Sequence, residues 1–404
     1  MSVAAIICEY NPFHNGHAYQ IKKTRELLGK NTEIISIMSG NFTQRGECAI
    51  MDKAHRAKIA TEAGINLVLE LPFPYSMSSA EFFAASAVHI LNSLGCVDYL
   101  VFGSECGDVD VLKSCAEVML SRDFNSNLAK YARSKEYKTL GYPELIEAAL
   151  KESLSDTAMP ELTPNNILAV EYIKALLKTK SKITPVTIKR MGAGYDSENI
   201  EKTELQSASA IRNAINARDI SALEYTPVFA KDIALELLSK GEFPCDISRL
   251  DSALISHFRL NSQAESCDIH DVGGGLYNSI RSASFKANDH TTLLRLSETK
   301  AFTRARLRRA ILYSFFGVTS SDVKGLPRYT QILALDSIGM ALLKKIRKQS
   351  GFPILTKPSR TDELSEGAKR QKLLSDKADS IYQLTKPCPP DGNSALRLTP
   401  YVKK

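Results

Sequence analysis

The sequence predicts an open parallel α/β sheet followed by a mainly helical, basic C-terminal region. β-rich runs with few charges recur through the first hundred residues, at VAAIIC (3–8), EIISIMSG (33–40), NLVLELP (66–72) and DYLVFGSE (98–105). The segments between them are long enough for the crossover helices that parallel strands need, and such helices cover both faces of the sheet. From about residue 228 helical stretches replace this alternation, broken at GEFPCDIS and DVGGGLYNSI.

Each element has a local justification. MDKAHRAKIATEAG sets Ala54, Ala57, Ile59 and Ala60 among charges and closes on Gly64, while SSAEFFAASAVHILNSLG closes on Gly95; both glycines suit a helix C-terminus. A more irregular stretch, 121–162, carries Arg122, Arg133, Lys135 and Lys138. Thr163 and Pro164 then cap and begin the helix NNILAVEYIKALLK. KITPVTIKR (182–190) reads as a further strand, and SASAIRNAINARD as a helix starting near Ser207 or Ser209, after the Gly-containing loop MGAGYDSENIEKTELQ. The punctuation EYTP at 224–227 places the domain boundary, giving expected units 1–226 and 227–404. The final TKPCPPDGNSALRLTPYVKK either closes back on the body as an extended strand or stays mobile.

Composition narrows the function. The chain has 404 residues, of which 44% are hydrophobic, and a net charge of +7. That charge is too small to name a polyanionic partner, but it divides into −5 over residues 1–300 and +12 over 301–404. A folded basic module is expected at the C-terminal end, because apolar runs such as ILYSFFG persist there. The eight cysteines never fall as C-x-x-C and read as reduced thiols. No apolar run reaches a membrane span of roughly 18 residues and no leader pattern precedes AAIICEYNPF, so a cytoplasmic protein off the membrane is expected.

The densest chemistry follows the first strand, in CEYNPFHNGHAYQ. In an open parallel sheet, ligands bind beyond the carboxyl ends of the strands, where this loop lies. Gly16 permits close backbone approach just before a helix whose free N–H groups suit phosphate. His14 and His17, three residues apart, can present both imidazoles to one phosphate and donate to oxygens gaining charge. Two imidazoles without Cys or a matched acid make a sparse zinc site, so no metal site is expected. The loop is neither a P-loop nor the three-glycine dinucleotide fingerprint.

NPFHNGH resembles the H-x-G-H signature of the nucleotidylyltransferase superfamily. EYNPFHNGH together with SGNFTQRGE, FGSE, PNNILAVEY, KRMGAGYD and SASAIR resembles the bacterial tRNA(Met) cytidine acetate ligase family, over nearly the whole chain. The resemblance implies a Rossmann-like nucleotidylyltransferase domain that activates acetate with ATP to acetyl-AMP, releasing pyrophosphate. A tRNA-binding region would then present elongator tRNA(Met) for acetylation at N4 of its wobble cytidine. It implies an ATP site built from Ile7, Cys8, Glu9, Tyr10, Asn11, Pro12 and Phe13, continuing through His14, Asn15, Gly16, His17, Ala18, Tyr19 and Gln20. Gly103, Asn165 or Asn166, and Arg190 complete it, with Mg2+ expected on the triphosphate. His14 and His17 take the catalytic positions. Ser207, Ser209 and Arg212 stand where the superfamily places its second phosphate-contacting motif, although Ala210 replaces the hydroxyl residue there.

Other features are read from residue type and place. Gln44 and Arg45, after the second strand, could shape the acyl or phosphate side of the pocket, and the same segment offers Asn41 and Thr43 and then Asp52, Lys53 and Arg56, where a helix begins near Asp52. Arg190 ends a strand, within reach of phosphates through bidentate bonds. Asn165 or Asn166 serves either as a cap or as a nucleotide contact. In TRARLRRA and KKIRK, Arg304, Arg306, Arg308, Arg309, Lys344 and Lys345 are candidates for RNA phosphates, with Arg304 and Arg308 on one helix face. The alternative function is a nucleotidylyltransferase acting on a small phosphorylated metabolite.

Overall fold

The computed structural model describes residues 1–134, 142–154, 159–190, 206–262, 268–273, 275–299 and 302–404. Lys135, Lys138, Cys267 and the expected loop at 191–205 lie outside the described residues. The strands are β1 (Val3–Cys8), β2 (Glu33–Ser39), β3 (Phe42–Thr43), β4 (Glu47–Cys48), β5 (Leu67–Leu71), β6 (Tyr99–Ser104), β7 (Thr184–Lys189), β8 (Thr330–Leu335), β9 (Ile354–Leu355) and β10 (Tyr401–Val402). The helices of the first half are α1 (Asn15–Leu28), α2 (Lys53–Glu62), α3 (Ala80–Leu94), α4 (Val109–Leu120), α5 (Arg122–Arg133), α6 (Tyr142–Ser153), α7 (Pro164–Lys178) and α8 (Ala208–Asn216). Those of the second half are α9 (Val228–Ser239), α10 (Asp251–Leu260), α11 (Leu276–Ser284), α12 (His290–Ser297), α13 (Arg304–Phe316), α14 (Ser320–Lys324), α15 (Ser337–Gln349) and α16 (Glu366–Gln383).

The main sheet runs β10-β8-β5-β2-β1-β6-β7, with β9 beside β8. All neighbours are parallel except β5 and β8. Alternate residues of β1 face opposite ways: Val3 and Ala5 join a core with α3, α4, α7 and α15, while Ala4 and Ile6 join one with α1, α2, α8 and α9. Both faces are covered, which is why the strands carry so few charges. From β1 the chain winds to β2 and β5 on one side and later to β6 and β7 on the other, making the carboxyl end of β1 the switch point.

The sheet takes strands from both sides of the 226/227 boundary expected from sequence. QILALDSIGMALL, read there as part of a basic module, is strand β8 followed by α15, the turn capped by Asp336, whose Oδ1 accepts from Gly339 N at 2.8 Å. A short apolar run does not by itself tell a buried strand from a helix, which hid β8. The terminal segment does close back, as β10 on β8. A third core unites α10 to α13 and α16 with Phe42, Phe73 and Met77 from the first half, so the helical region is clamped onto the sheet's carboxyl edge.

Two buried polar devices shape that edge. Arg56 is fully buried and donates to the carbonyls of Glu9 (2.5 Å), Ser39 (3.2 Å), Gly40 (2.6 Å) and Met51 (2.9 Å), tying together the loops after β1 and β2. Lys53 Nζ lies 2.6 Å from Glu70 Oε1 and 2.5 Å from Asp379 Oδ2, joining α2, β5 and α16. Asn41 completes the group, donating to Asp379 Oδ1 at 2.9 Å and accepting from Lys53 N at 2.7 Å.

Candidate active site

The loop after β1 turns at Tyr10, whose φ of +50° is rare for an aromatic residue and marks stored backbone strain at the switch point. Tyr10 and Phe13 are buried, and their rings pack edge-on 4.8 Å apart, with His17 4.8 Å from Tyr10. This aromatic bed fixes the two histidines, whose rings lie 3.8 Å apart.

Their hydrogen bonds set the tautomer. His14 is the N-cap of α1: its Nδ1 accepts from Gly16 N at 3.0 Å, while its own N–H donates to His17 Nδ1 at 3.2 Å. With both Nδ1 atoms accepting, each neutral ring carries its proton on Nε2. Burial, helped by Arg190 and Arg212, lowers the His14 pKa to about 3. Burial, with His14 and Arg190, holds His17 well below the ordinary histidine value. Both rings are therefore neutral N–H donors at physiological pH.

Two arginines flank the pair. Arg212 donates to Asn11 O at 2.7 Å and to Ser209 Oγ at 3.3 Å, and lies 3.3 Å from Glu47 Oε2. Ser207 caps α8 by accepting from Ala210 N at 3.1 Å. Arg190 Nε sits 3.6 Å from Glu105 Oε1. Glu105 also accepts from Thr163 Oγ1 at 2.6 Å and Asn165 Nδ2 at 2.5 Å. Thr163 has the backbone of an N-cap, but its hydroxyl serves Glu105 rather than the helix. Glu9 accepts from Gln44 N at 2.8 Å, and burial raises its pKa against the pull of that bond and of Arg212, Arg45 and Arg56.

One pocket gathers most of the residues expected from sequence: Ile7, Cys8, Glu9, Tyr10, Asn11, His14, His17, Gln20, Gly103, Asn165, Arg190, Ser207, Ser209 and Arg212. Gly16 and Tyr19 line an adjoining recess with His14, His17 and Gly103. A Cβ on Gly103 would stand 3.3 Å from Arg190 Cγ, so the missing side chain leaves that arginine its place. Pro12, Phe13, Asn15 and Ala18 line neither space, Phe13 packing instead against Tyr10 and His17. Asn166 is buried and spent on structure, accepting from Cys106 N at 3.1 Å and donating to Glu161 O at 2.8 Å. Sequence reasoning did not single out Phe83, Phe102, Leu168 and Tyr172 as pocket walls. They sit in helix and strand patterns that also serve the core, and no chemical signal separates the two uses.

The basic residues expected to face RNA divide. Arg304 is exposed, with Glu298 Oε1 at 3.2 Å. Arg306 lies 2.8 Å from Asp271 Oδ1. Arg308 pairs with Glu47, the carboxylate that also holds Arg212. Arg309 is buried and donates to Gln44 O at 3.2 Å, so it does not share the exposed face of Arg304. Lys344 and Lys345 are exposed on α15, which packs on the sheet rather than in the helical bundle. Among the described residues no group of three or more His, Cys, Asp and Glu side chains could hold a metal, and no helix is long and apolar enough to cross a membrane.

Comparison with known proteins agrees with this geometry. The family model described as HIGH Nucleotidyl Transferase matches residues 1–395. A tRNA(Met) cytidine acetate ligase of Thermoanaerobacter sp. (strain X514) is 39% identical over 396 residues, covering 95% of each chain. That of Clostridium perfringens is 35% identical over 404 residues, covering 96% of each. The crystal structure of Thermotoga maritima TmcAL bound with alpha-thio ATP superposes with a TM-score of 0.90 at 30% identity, covering 100% of this chain and 99% of that one. The apo form of the same protein gives 0.92. With its fold and nearly its whole length thus matched, the chain belongs to the tRNA(Met) cytidine acetate ligase family of HIGH nucleotidyl transferases.

Proposed function

We infer that this protein activates acetate with ATP and transfers the acetyl group to N4 of the wobble cytidine of elongator tRNA(Met). The observation that carries the chemistry is the paired neutral imidazoles, each with Nε2–H left free for the pocket, between two arginines at the switch point of the sheet. A carboxylate and a triphosphate repel, so the site must supply positive charge and orientation. Acetate oxygen attacks the α-phosphorus, and the bond from that phosphorus to the bridging oxygen of pyrophosphate breaks. His14 and His17 donate to oxygens that gain charge as this happens. Because both rings are already neutral N–H donors, they need no proton from solvent before acting. Arg190 and Arg212 neutralise the departing pyrophosphate, Arg212 being aimed by Asn11 O and Ser209.

Mg2+ accompanies the triphosphate. Bound with it, the ion would offset the triphosphate's negative charge during the attack. In the second step N4 attacks the acetyl carbonyl carbon. The bond from that carbon to the phosphate oxygen breaks, AMP keeps the electron pair, and one N4 proton leaves to solvent. A wobble base in a single-stranded loop is cheaper to unstack than one in a duplex. Mass analysis of nucleosides from tRNA(Met) incubated with protein, ATP and acetate tests the whole reading. The expected product is N4-acetylcytidine with one AMP per acetyl group. AMP transferred to a phosphorylated metabolite, with no acetylated RNA, would overturn it.

A further inference from the structure

A second cavity, of about 610 Å3, shares Gln44 with the ATP pocket. Its size falls within the roughly 300–1,000 Å3 of ligand sites. The two spaces use neighbouring faces of one helix: Leu168 and Tyr172 of α7 line the ATP pocket, while Ile167, Glu171 and Lys174 line the groove. Its floor is apolar, with Met119, Phe124, Leu128 and Leu150, and the first turns of α13 close it through Ala305 and Arg309. Lys174 and Lys178 are matched by Glu171 at 2.8 Å and Glu81 at 3.1 Å. Arg309 has no carboxylate in an ion pair with it among the described residues. It is buried, its guanidinium donates to Gln44 O at 3.2 Å, and its Nε has no hydrogen-bond partner among the described residues. A buried donor without a partner is destabilising, and a ligand acceptor relieves that penalty.

We propose that this groove receives the acceptor nucleotide of the RNA, its cytosine unstacked toward Gln44 and its acceptor atoms or flanking phosphate bonded by Arg309. The inference rests on the transfer reaction above and adds where the second substrate enters. Guanidinium only donates, so it suits cytosine O2 and N3 or a phosphate oxygen, and leaves the N4 amine free to attack. The apolar floor takes the base, as sites for single-stranded nucleic acid do. Continuity supports this occupant over a peptide or lipid: Gln44 lines both the groove and the pocket that holds the nucleotide whose acetyl group must be transferred, and α13, which lines the groove, also carries Arg304 and Arg306.

The test uses the full chain and an anticodon stem–loop carrying 4-thiouridine in place of the acetylated cytidine. After irradiation with ATP and acetate present, crosslinks are expected on residues of α4 to α7 or the first turn of α13. Crosslinks only elsewhere, for instance on α10 to α12, or none in the groove, overturn the proposal. In parallel, Ala305→Trp on α13 and Ala80→Trp on α3 fill the groove from two different elements. Each is expected to lower kcat/KM for tRNA by about tenfold or more while acetate-dependent pyrophosphate exchange stays within about twofold. Folded variants that acetylate tRNA at the wild-type rate would equally overturn it. If either variant fails to fold, the wild-type crosslink decides. Absence of acetate-dependent exchange in the wild-type protein would instead sink the acetate-ligase reading itself.

Discussion

On the His14 ring, Nδ1 is committed to the Gly16 N–H at the start of α1, and Nε2 is thereby committed to the pocket. The two jobs separate by substitution. His14→Ala loses both, costing about 1 kcal/mol for the missing cap. His14→Asn keeps a capping acceptor and recovers most of that stability. Both are expected to slow acetate-dependent pyrophosphate exchange by about 10²-fold or more, since Asn does not restore the donor aimed at the phosphate. Thermal unfolding read beside exchange distinguishes the pair. Acid carries a second signature. The pKa of His14 is lowered by burial from the ordinary histidine value to about 3. Its contribution to stability is thus full above the unfolded value of about 6.5 and falls away as the pH drops from there toward the folded value. The 15N shifts of His14 are expected to show an unprotonated Nδ1 and a protonated Nε2 down to about pH 5; a doubly protonated ring at pH 6 would contradict the assignment. The spacing of His14 and His17 made the pair legible in the sequence. The tautomer was not, because it depends on which backbone N–H each ring meets after the loop has turned at Tyr10.

Elements are joined here by buried polar groups whose partners lie hundreds of residues apart. Lys53, Glu70 and Asp379 belong to α2, β5 and α16, and Asn41 ties them to the loop that carries Gln44 and Arg45 over the pocket. Removing one member strands charge in the interior. Lys53→Met is expected to cost about 3–5 kcal/mol, measurable as a lower midpoint in urea unfolding. Asp379→Asn keeps the shape and an oxygen to accept from Asn41 and leaves Lys53 with Glu70, so a smaller loss is expected in the same urea measurement. Sequence reasoning placed Asn41, Lys53 and Arg56 after the second strand at the functional edge, and there Asn41 stands in the loop while Lys53 and Arg56 stand in the first turns of α2. It could not assign them to scaffolding, because Asp379 was read only as part of a basic tail. The strands β1, β2, β5, β6 and β7 were legible from their charge-poor β-branched runs. β8 was not, since its six residues run straight into a helix of similar apolarity.

Across the whole molecule, the concentration of positive charge toward the C-terminal end was visible in the composition, but its division was not. Arg304 is exposed and Arg308 is not its equivalent, because Arg308 shares Glu47 with Arg212 of the ATP pocket. Arg304→Ala is expected to weaken tRNA binding, flatten its salt dependence by about one unit of slope, and leave acetate activation unchanged. Arg308→Ala frees Glu47 to pull on Arg212 and is expected to slow activation as well. Titrations at several salt concentrations, set beside pyrophosphate exchange, separate the two. The arrangement of the sheet has a consequence for synthesis. β5 carries part of the nucleotide unit but pairs with β8, and β8 in turn with β10, near the last residue of the chain. A nascent chain halted before residue 330 already contains His14, His17, Arg190 and Arg212, yet it presents β5 as a bare edge, the kind of surface that recruits other chains. Amino-terminal fragments are therefore liable to aggregate rather than to persist as working half-enzymes, and this side of the sheet is completed only once residues 401–402 have been made.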